Sequence, residues 1–536
     1  MTDRTRLTVL QLAIVFGVCL FCFFFGLGAF GLVGADEPRY AQIGREMLAR
    51  HDWVLPTING QPWLEKPVLL YWGEIISYRL FGVQDWAARV PSALFAMVLV
   101  FAIYAFLLRF REGAEFDGAM ITVSMAGMIG FARGASTDMQ LTAPFCIAML
   151  AWWTWRKTDK RFWLAVFFVL LAIAALAKGP VAPAFALLIV GAYAWLRRDG
   201  EGFLRSLWLP GFGLFFLVSV PWYILVQRRA PEFFRTFFLQ HNLERFGTNL
   251  YQHSQPFWYY IPVFLLMVLP WVVFTAPALV ESVREEWRVR RRLEEPERVT
   301  AENDDGLSSF LIVWILVPIV FFSISRSKLP GYILPSIPPA SILNAFYLHG
   351  TGISRIKLML HSLVCGVLMA GALVAPFSMM REPIPSTTRY IIAVSSGVIA
   401  IVVLLFVRKS GLRVLRFVTL VPVVLGLMLL LRLNGITIDE TQSSRSINQQ
   451  LKKVGAADSR VAVFNARREV EYGLNFYRDQ SIPRYERDGV PAFDHVVIAK
   501  QGSADALQAL ISHGTITRIG DFPPQRLEFF RVTYQK

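Results

Sequence analysis

Apolar segments long enough to cross a bilayer recur along most of this chain, and they constrain its fold more than any other feature. A helix needs about 20 apolar residues to span a membrane, and only helices or closed barrels satisfy their backbone hydrogen bonds there. Of the 536 residues, 55% are hydrophobic and 17% are charged, whereas soluble proteins carry about 25% charged residues. We therefore predict a polytopic, all-α membrane protein with thirteen spans close to residues 8–32, 88–108, 117–133, 139–155, 161–177, 180–196, 206–226, 256–280, 308–325, 330–349, 356–376, 389–407 and 412–433.

The distribution of lysine and arginine among the loops predicts the orientation of these spans. If the N-terminus, with Arg4 and Arg6, is cytoplasmic, every second loop is also cytoplasmic and rich in basic residues, as the positive-inside rule requires. The basic residues of those loops are Arg109, Arg111, Arg156, Lys157, Lys160, Arg161, Arg197, Arg198, Arg205, Arg284, Arg288, Arg290, Arg291, Arg292, Arg355, Lys357, Arg408, Lys409, Arg413 and Arg416. Thirteen spans then place the C-terminus outside. The first segment has no clear cleavage site and is predicted to stay as an anchor.

From Asn434 onward the composition is that of a soluble domain. The predicted strands and helix of this region are Val461–Phe464, Val496–Ile498, Ala504–Ser512 (the helix) and Arg526–Tyr534. About 100 residues can bury a modest core. We therefore predict two domains, a transmembrane domain over residues 1–433 and a small outer α/β domain over residues 434–536.

Composition also limits the partners. The net charge of +15 predicts contact with membrane lipids rather than nucleic acid, because the basic residues are scattered among the spans and no nucleic-acid-binding motif is present. The four cysteines, Cys19, Cys22, Cys146 and Cys365, lie inside apolar segments. They predict packing rather than disulfides or redox chemistry.

The first outer loop, residues 34–87, is too long for a simple connection, which favours a function. It opens with Asp36, Glu37 and Arg39, and residues 41–50 have the apolar spacing of a helix lying on the membrane surface. The two carboxylates either cap this helix or mark a functional site, because acidic groups are costly to desolvate at a membrane boundary.

Other outer loops carry charged and aromatic residues that each have a structural alternative. The alternatives are an ion pair below an aromatic belt for Glu65 and Lys66, a helix cap for Asp138 and a snorkelling side chain for Lys178. The complete set on this side is Asp36, Arg39, Glu65, Lys66, Asp138, Lys178, His241, Arg245, Lys328 and Tyr332. Cations here run against the positive-inside trend, so the set predicts an anionic ligand. Carboxylates beside Lys, Arg and Tyr favour chemistry on a phosphorylated lipid.

Six motifs, taken together and in this order, resemble those of the bacterial aminoarabinose transferase (ArnT) family. They are Asp36–Tyr40, Trp63–Pro67, Ser136–Asp138, Ala177–Pro180, His241–Phe246 and Lys328–Tyr332. That family belongs to the GT-C superfamily with the protein O-mannosyltransferases. Thirteen spans followed by an outer domain, which the patterning predicts separately, are also similar to it. The resemblance implies a GT-C catalytic domain with periplasmic juxtamembrane helices in the first outer loop.

The resemblance implies an activity and assigns roles. The family transfers 4-amino-4-deoxy-L-arabinose from undecaprenyl phosphate to a lipid A phosphate at the periplasmic face of the bacterial inner membrane, which gives resistance to polymyxin and cationic peptides. Asp36 and Asp138 match catalytic carboxylates. Glu65 and His241 match positions of a bound divalent metal, zinc in the family, although two ligands fall short of a closed zinc site. The residues assigned to the donor phosphate are Lys66, Arg245 and Tyr332, with Arg39 and Lys178 as additions.

The mechanism and the substrate keep alternatives. An acceptor phosphate is already anionic and needs positioning, whereas a hydroxyl acceptor would use Asp36 as general base. Direct displacement predicts inversion at the anomeric carbon. Similar enzymes transfer galactosamine, galacturonic acid or mannose, which the residue spacing does not distinguish. A polyprenyl-lipid translocator is disfavoured because the charged residues cluster on one side.

Overall fold

The computed structural model of the chain describes residues 3–244, 255–293, 306–350, 354–380, 383–410, 414–432, 434–511 and 513–534. Up to residue 432 it is built almost wholly from helices. These are α1 (Asp3–Cys19), α2 (Asp36–Ala49), α3 (Leu69–Phe81), α4 (Asp85–Phe110), α5 (Glu115–Ser124), α6 (Ala126–Ala132), α7 (Thr137–Thr158), α8 (Arg161–Lys178), α9 (Val181–Arg197), α10 (Gly200–Ser206), α11 (Leu209–Arg229), α12 (Tyr260–Met267), α13 (Val272–Leu293), α14 (Leu307–Ile324), α15 (Ile337–Gly350), α16 (Arg355–Met380), α17 (Ser386–Ser410) and α18 (Leu415–Arg432). Short π-helical segments, Leu20–Phe24 and Arg235–Glu244, and 3₁₀ segments, Phe257–Tyr259 and Pro330–Ser336, interrupt the series.

The chain is a multi-pass membrane protein. Within the described residues, eight helices are long and apolar enough to cross a membrane, or nine if the pair Phe257–Met267 and Val272–Arg284, bent by 117°, forms one span. A helix or helix pair lies at each of the thirteen predicted segments, but several are short or broken. The all-α membrane fold is confirmed, and the count of thirteen spans stays a prediction.

Two of the broken helices meet at their breaks. The backbone of Met125 is extended between α5 and α6, and the next residue, Ala126, donates its N–H to the carbonyl of Leu269, 2.8 Å away, at the bend before α13. The Trp271 indole donates to Ser124 Oγ at 2.9 Å. Interrupted helices are stable at membrane depth where neighbouring helices satisfy the freed backbone groups. These contacts explain how the bundle tolerates both breaks.

The first loop, residues 34–87, folds as α2, a short hairpin and α3. Strands β1 (Thr57–Ile58) and β2 (Gln61–Pro62) pair antiparallel across Asn59 and Gly60, both of which have positive φ. That is the backbone which an Asn-Gly hairpin turn requires. Glu46 of α2 accepts hydrogen bonds from this hairpin. The predicted surface helix begins earlier than expected and is largely buried, because α3 and the C-terminal region cover it.

Residues 434–534 contain a four-stranded sheet and five helices. The helices are α19 (Asn434–Gln442), α20 (Ser444–Lys453), α21 (Arg468–Arg478), α22 (Tyr485–Asp488) and α23 (Ala504–Leu510), and the strands are β3 (Val461–Phe464), β4 (His495–Lys500), β5 (Thr515–Phe522) and β6 (Leu527–Thr533). The strand order is β3-β4-β6-β5, with β3 and β4 parallel and the other pairs antiparallel. The three predicted strands and the helix are confirmed. Strand β5 was not predicted, because its exposed polar residues give it no apolar signature. The boundary between residues 433 and 434 stays a prediction.

Candidate active site

The first turn of α2 presents one exposed carboxylate beside a cation enclosed by aromatic rings. The Asp36 side chain is 58% exposed and accepts a hydrogen bond from Arg39 Nη2. The Arg39 guanidinium lies 4.7 Å from the ring centre of Trp63, 5.2 Å from that of Tyr40 and 5.5 Å from that of Tyr472. Burial alone would lower the pKa of Arg39, but the acidic groups around it, Tyr40 first and then Asp36, raise that pKa above its ordinary value. Arg39 is therefore a permanent cation in a partly dehydrated setting.

The neighbouring carboxylate, Glu37, is buried and structural. Arg89 of α4 donates to both of its oxygens, from Nε at 3.1 Å and from Nη2 at 2.7 Å. Glu37 also accepts the backbone N–H groups of Val33, at 2.9 Å, and Ala135, at 2.8 Å. The cap position of α2 is occupied by Ala35, with no side-chain cap, so the capping alternative for Asp36 and Glu37 was wrong. Glu37 instead fixes the first loop to α4 and to the turn before α7.

A second group forms at the first turn of α7. Asp138 accepts hydrogen bonds from Lys178 Nζ and, at 3.0 Å, from Ser136 Oγ. Lys178 Nζ also lies 5.7 Å from the ring centre of Tyr332. A Cβ atom at position 331 would overlap Asp138, so Gly331 is required for the loop to approach this carboxylate. The structure thus brings Asp138, Lys178 and Tyr332 together, as predicted.

Two adjacent residues of the first loop connect these groups. The charge of Glu65 acts on Arg39 at the first group, and the charge of Lys66 acts on Asp138 at the second. Both side chains are half-buried. The motif Glu65–Lys66 therefore lies between the exposed carboxylate and the lysine-bound carboxylate, and the two groups form one site.

Three of the predicted residues, His241, Arg245 and Lys328, are not among the groups described so far. His241 lies in the π-helical segment Arg235–Glu244, whose last side chains are not described, and Arg245 lies outside the described residues. Lys328 is buried and donates its Nζ to the carbonyl of Ser325, so its ammonium group is bound within its own loop.

Comparisons with known proteins find a family model that matches part of the membrane region and relatives that match most of the chain. The family model described as dolichyl-phosphate-mannose-protein mannosyltransferase matches residues 7–237. The undecaprenyl phosphate-alpha-4-amino-4-deoxy-L-arabinose arabinosyl transferase of Erwinia tasmaniensis is 29% identical over 482 residues, which cover 82% of this chain and 83% of that protein. Transferase 1 of the same name from Pseudomonas fluorescens is 33% identical over 355 residues, which cover 64% of this chain and 59% of that protein.

A solved structure shares the fold. The crystal structure of ArnT from Cupriavidus metallidurans bound to undecaprenyl phosphate has a TM-score of 0.76 and 24% identity, and the match covers 98% of each chain. This chain therefore shares the fold of ArnT, and its sequence is similar to that of the Erwinia transferase along most of its length. These similarities confirm the resemblance that the six motifs indicate.

Of the two metal ligands that the family resemblance implies, Glu65 is described, whereas the side chain of His241 lies outside the described residues. Zinc sites use three or four protein ligands. Among the described residues, no group of three His, Cys, Asp or Glu side chains could hold a metal ion. The charge of Glu65, one of the two predicted ligands, acts on Arg39. The metal stays a prediction, and no step of the mechanism below uses it.

The C-terminal region supplies contacts that local sequence reasoning missed. Helix α21 lies against α2, where Tyr472 stacks near Arg39. Arg45 of α2 donates to the carbonyl of Phe476 at 2.8 Å and pairs with Asp479 at 2.9 Å. Arg39 Nε and Trp63 Nε1 are buried without a hydrogen-bond partner in the described part of the chain. Buried donors of this kind are expected where a ligand or water completes a site.

Proposed function

We propose that this chain transfers 4-amino-4-deoxy-L-arabinose from undecaprenyl phosphate to a phosphate of lipid A. The observation that carries the proposal is the placement of an exposed carboxylate, Asp36, in one site with a cationic group around Asp138. Such a pair suits a sugar phosphate, because the cations match the phosphate and the carboxylate faces the sugar. The names of the Erwinia and Pseudomonas relatives state the same donor and sugar.

The donor phosphate is the leaving group. Lys66, Lys178 and Tyr332 bind its oxygens, together with Arg245, and stabilise the charge that develops when the anomeric C–O bond breaks. Lys178 is suited to this role because Asp138 and the ring of Tyr332 hold its ammonium group in place. Preorganised cations stabilise a transition state without reorganising during the reaction.

The acceptor phosphate oxygen attacks the anomeric carbon of the sugar. The new C–O bond forms as the bond to the donor phosphate breaks, and undecaprenyl phosphate leaves with both electrons of that bond. No proton needs to be removed, because a phosphate is already anionic at neutral pH. Asp36 faces the sugar and stabilises the positive charge on the ring and on the 4-amino group. A single displacement gives inversion at the anomeric carbon.

The assignments of Asp138 and Arg39 differ in their support. Asp138 acts mainly by holding Lys178, since both of its oxygens accept hydrogen bonds from side chains. Arg39 is an additional phosphate-binding residue, because its Nε is buried without a partner among the described residues.

The proposed location is the bacterial inner membrane, with the N-terminus in the cytoplasm. The positive-inside distribution supports this orientation, which puts the first loop, the site and the C-terminal domain in the periplasm. Lipid A that carries aminoarabinose has less negative charge. Cells that make it therefore bind polymyxin and other cationic peptides less tightly.

Mass spectrometry of lipid A tests the proposal. The chain is expressed in a polymyxin-sensitive strain that lacks its own transferase but makes the donor, beside Asp36→Asn at equal membrane levels. We expect a mass gain of one aminopentose on a phosphate with the natural chain and none with the variant. A gain of hexosamine or uronic-acid mass would show that a different sugar is transferred. Unmodified lipid A would refute the transfer.

A further inference from the structure

A large cavity lies at one edge of the C-terminal sheet, away from the residues assigned above. Its volume is about 1100 Å³, and residues from the loops of the sheet line it together with the end of α16. Nothing in the proposed sugar transfer uses this cavity.

The topology places the cavity where α/β sheets hold ligands. Strands β3 and β4 are parallel. Asn465 and Arg467, directly after β3, and Lys500, the last residue of β4, line the cavity. Open α/β sheets bind ligands outside the carboxyl ends of their parallel strands. The cavity is at that end.

The charge of the cavity is positive. Arg467, Lys500 and Arg526 line it, and Glu440 is the carboxylate among its described lining residues, so the formal net charge is +2. Within the described part of the chain, none of these three cations forms an ion pair. A cavity with several uncompensated cations favours an anionic ligand.

The membrane end of the cavity is apolar. Met379 and Met380 line this side, and they are the last residues of α16, which is itself a candidate membrane span. The cavity therefore has a cationic wall on the sheet and an apolar wall at the end of a span. This combination suits the head group of an amphiphile whose chains stay in the bilayer.

Helix α21 connects this cavity to the active site. Arg467 and Val470 line the cavity, and Tyr472, on the same helix, lies beside Arg39. Tyr472 lies five positions after Arg467, the residue directly before α21, which is a rise of about 8 Å at 1.5 Å per residue. The cavity and the site beside Arg39 are therefore about one and a half turns apart along α21.

We propose that this cavity binds the phosphorylated head group of the acceptor lipid and presents that lipid to the site beside Arg39. The inference rests on the proposed function, because it names the acceptor of that reaction. Arg467 and Lys500 bind a phosphate of the head group, while its acyl chains lie past Met379 and Met380. Donor binding does not involve this cavity.

The test compares two variants that each remove two positive charges from the C-terminal region. Arg467→Gln with Lys500→Gln changes the cavity, and Lys452→Gln with Lys453→Gln changes two residues of α20 that do not line it. Arg526 is left unchanged because its φ of 55° makes its backbone sensitive to substitution. The full-length protein in detergent is titrated with purified lipid A, with undecaprenyl phosphate and with inorganic phosphate.

We expect the cavity variant to bind lipid A about 10- to 30-fold more weakly, as the loss of two contacts to an anionic head group gives. Its KM for lipid A should rise, with kcat and the KM for the donor unchanged. The α20 variant should change lipid A binding less than twofold. Equal losses in both variants, or no loss in either, would overturn the proposal.

Two further outcomes separate the ligand sources and the two proposals. Displacement of lipid A by millimolar inorganic phosphate would identify a free-phosphate site and overturn the lipid assignment. Weaker lipid A binding by the cavity variant, in a protein that transfers no aminoarabinose, would support the cavity and refute the sugar. Normal transfer of aminoarabinose by the cavity variant, with unchanged lipid A binding, would support the sugar and refute the cavity.

Discussion

Asp36 and Asp138, the two aspartates of the site, have different surroundings. Asp36 has a side chain that is 58% exposed and one cationic partner, Arg39. Asp138 is 17% exposed, and Lys178 and Ser136 donate to its two oxygens. One carboxylate is available to a substrate, whereas the other is used to hold a lysine. The two aspartates predicted as catalytic therefore have different environments, and we expect them to have different roles.

The buried residue Glu37 fixes the position of the region around Asp36 relative to the region around Asp138. Glu37 follows Asp36 directly and accepts the N–H of Ala135, which lies three residues before Asp138. Arg89 neutralises Glu37 and is itself 1% exposed. The distance between the exposed and the lysine-bound carboxylate thus depends on a side chain that contacts neither substrate.

The largest effect is expected from Asp36→Asn. If Asp36 stabilises positive charge on the sugar, kcat should fall about 10³-fold, as loss of a single charge-stabilising group does. Undecaprenyl phosphate should bind as before, since the cations around Asp138 are unchanged. Steady-state turnover and donor titration measure the two quantities. Loss of donor binding together with loss of turnover would contradict the assignment of the sugar to Asp36 and of the donor phosphate to the cations around Asp138.

Glu37→Gln should destabilise the protein and disturb the position of the Asp36 region relative to the Asp138 region. Removing one partner of a buried ion pair costs about 3–5 kcal/mol, because Arg89 is left with an uncompensated charge. We expect a clearly lower thermal unfolding midpoint of the purified protein in detergent. Asp36→Asn is the matched control, being one residue away and exposed, and its midpoint should stay unchanged. Equal midpoints for both variants would show that Glu37 has no structural role.

Lys178→Met and Asp138→Asn should have similar, smaller effects, because they remove two parts of one unit. We expect about a 10²-fold loss of kcat for each and little further loss when they are combined. Lys160→Met, at the opposite end of α8 and exposed, should leave turnover unchanged. Fully additive losses would mean that Asp138 acts on the substrate independently of Lys178.

The smallest effect is expected at Tyr472. Its ring contributes a cation–π contact to Arg39, worth about 0.5–1 kcal/mol where the pair is partly exposed. Tyr472→Leu should therefore raise the KM for the donor about 2- to 5-fold. Tyr472→Phe, which keeps the ring, should have the KM of the natural chain. Equal defects in both variants would assign the effect to the hydroxyl rather than to the ring.

Much of the fold was predictable, because bilayer-length apolar segments and period-two strands leave a strong signal. The breaks at Met125 and before α13 were not, since they depend on contacts between distant helices. The structure brings together five residues that the sequence predicted for the site, and their roles stay predictions: Asp36, Lys66, Asp138, Lys178 and Tyr332. The role of Glu37 and the importance of Arg89 were missed. Arg89 lies near the start of a mostly apolar helix, and its partner is 52 residues away in the chain.

The contacts of the C-terminal region set the order in which the site can be completed during synthesis. Arg445 donates to Asp85, at the end of the first loop, across 360 residues of sequence. Gly31, just before that loop, donates its N–H to Asp439 at 2.8 Å, across 408 residues. A ribosome produces the first loop early but its supporting residues nearly last. The loop therefore lacks these contacts until almost the whole chain has been made. We expect a chain truncated before residue 434 to insert into a membrane but to be inactive.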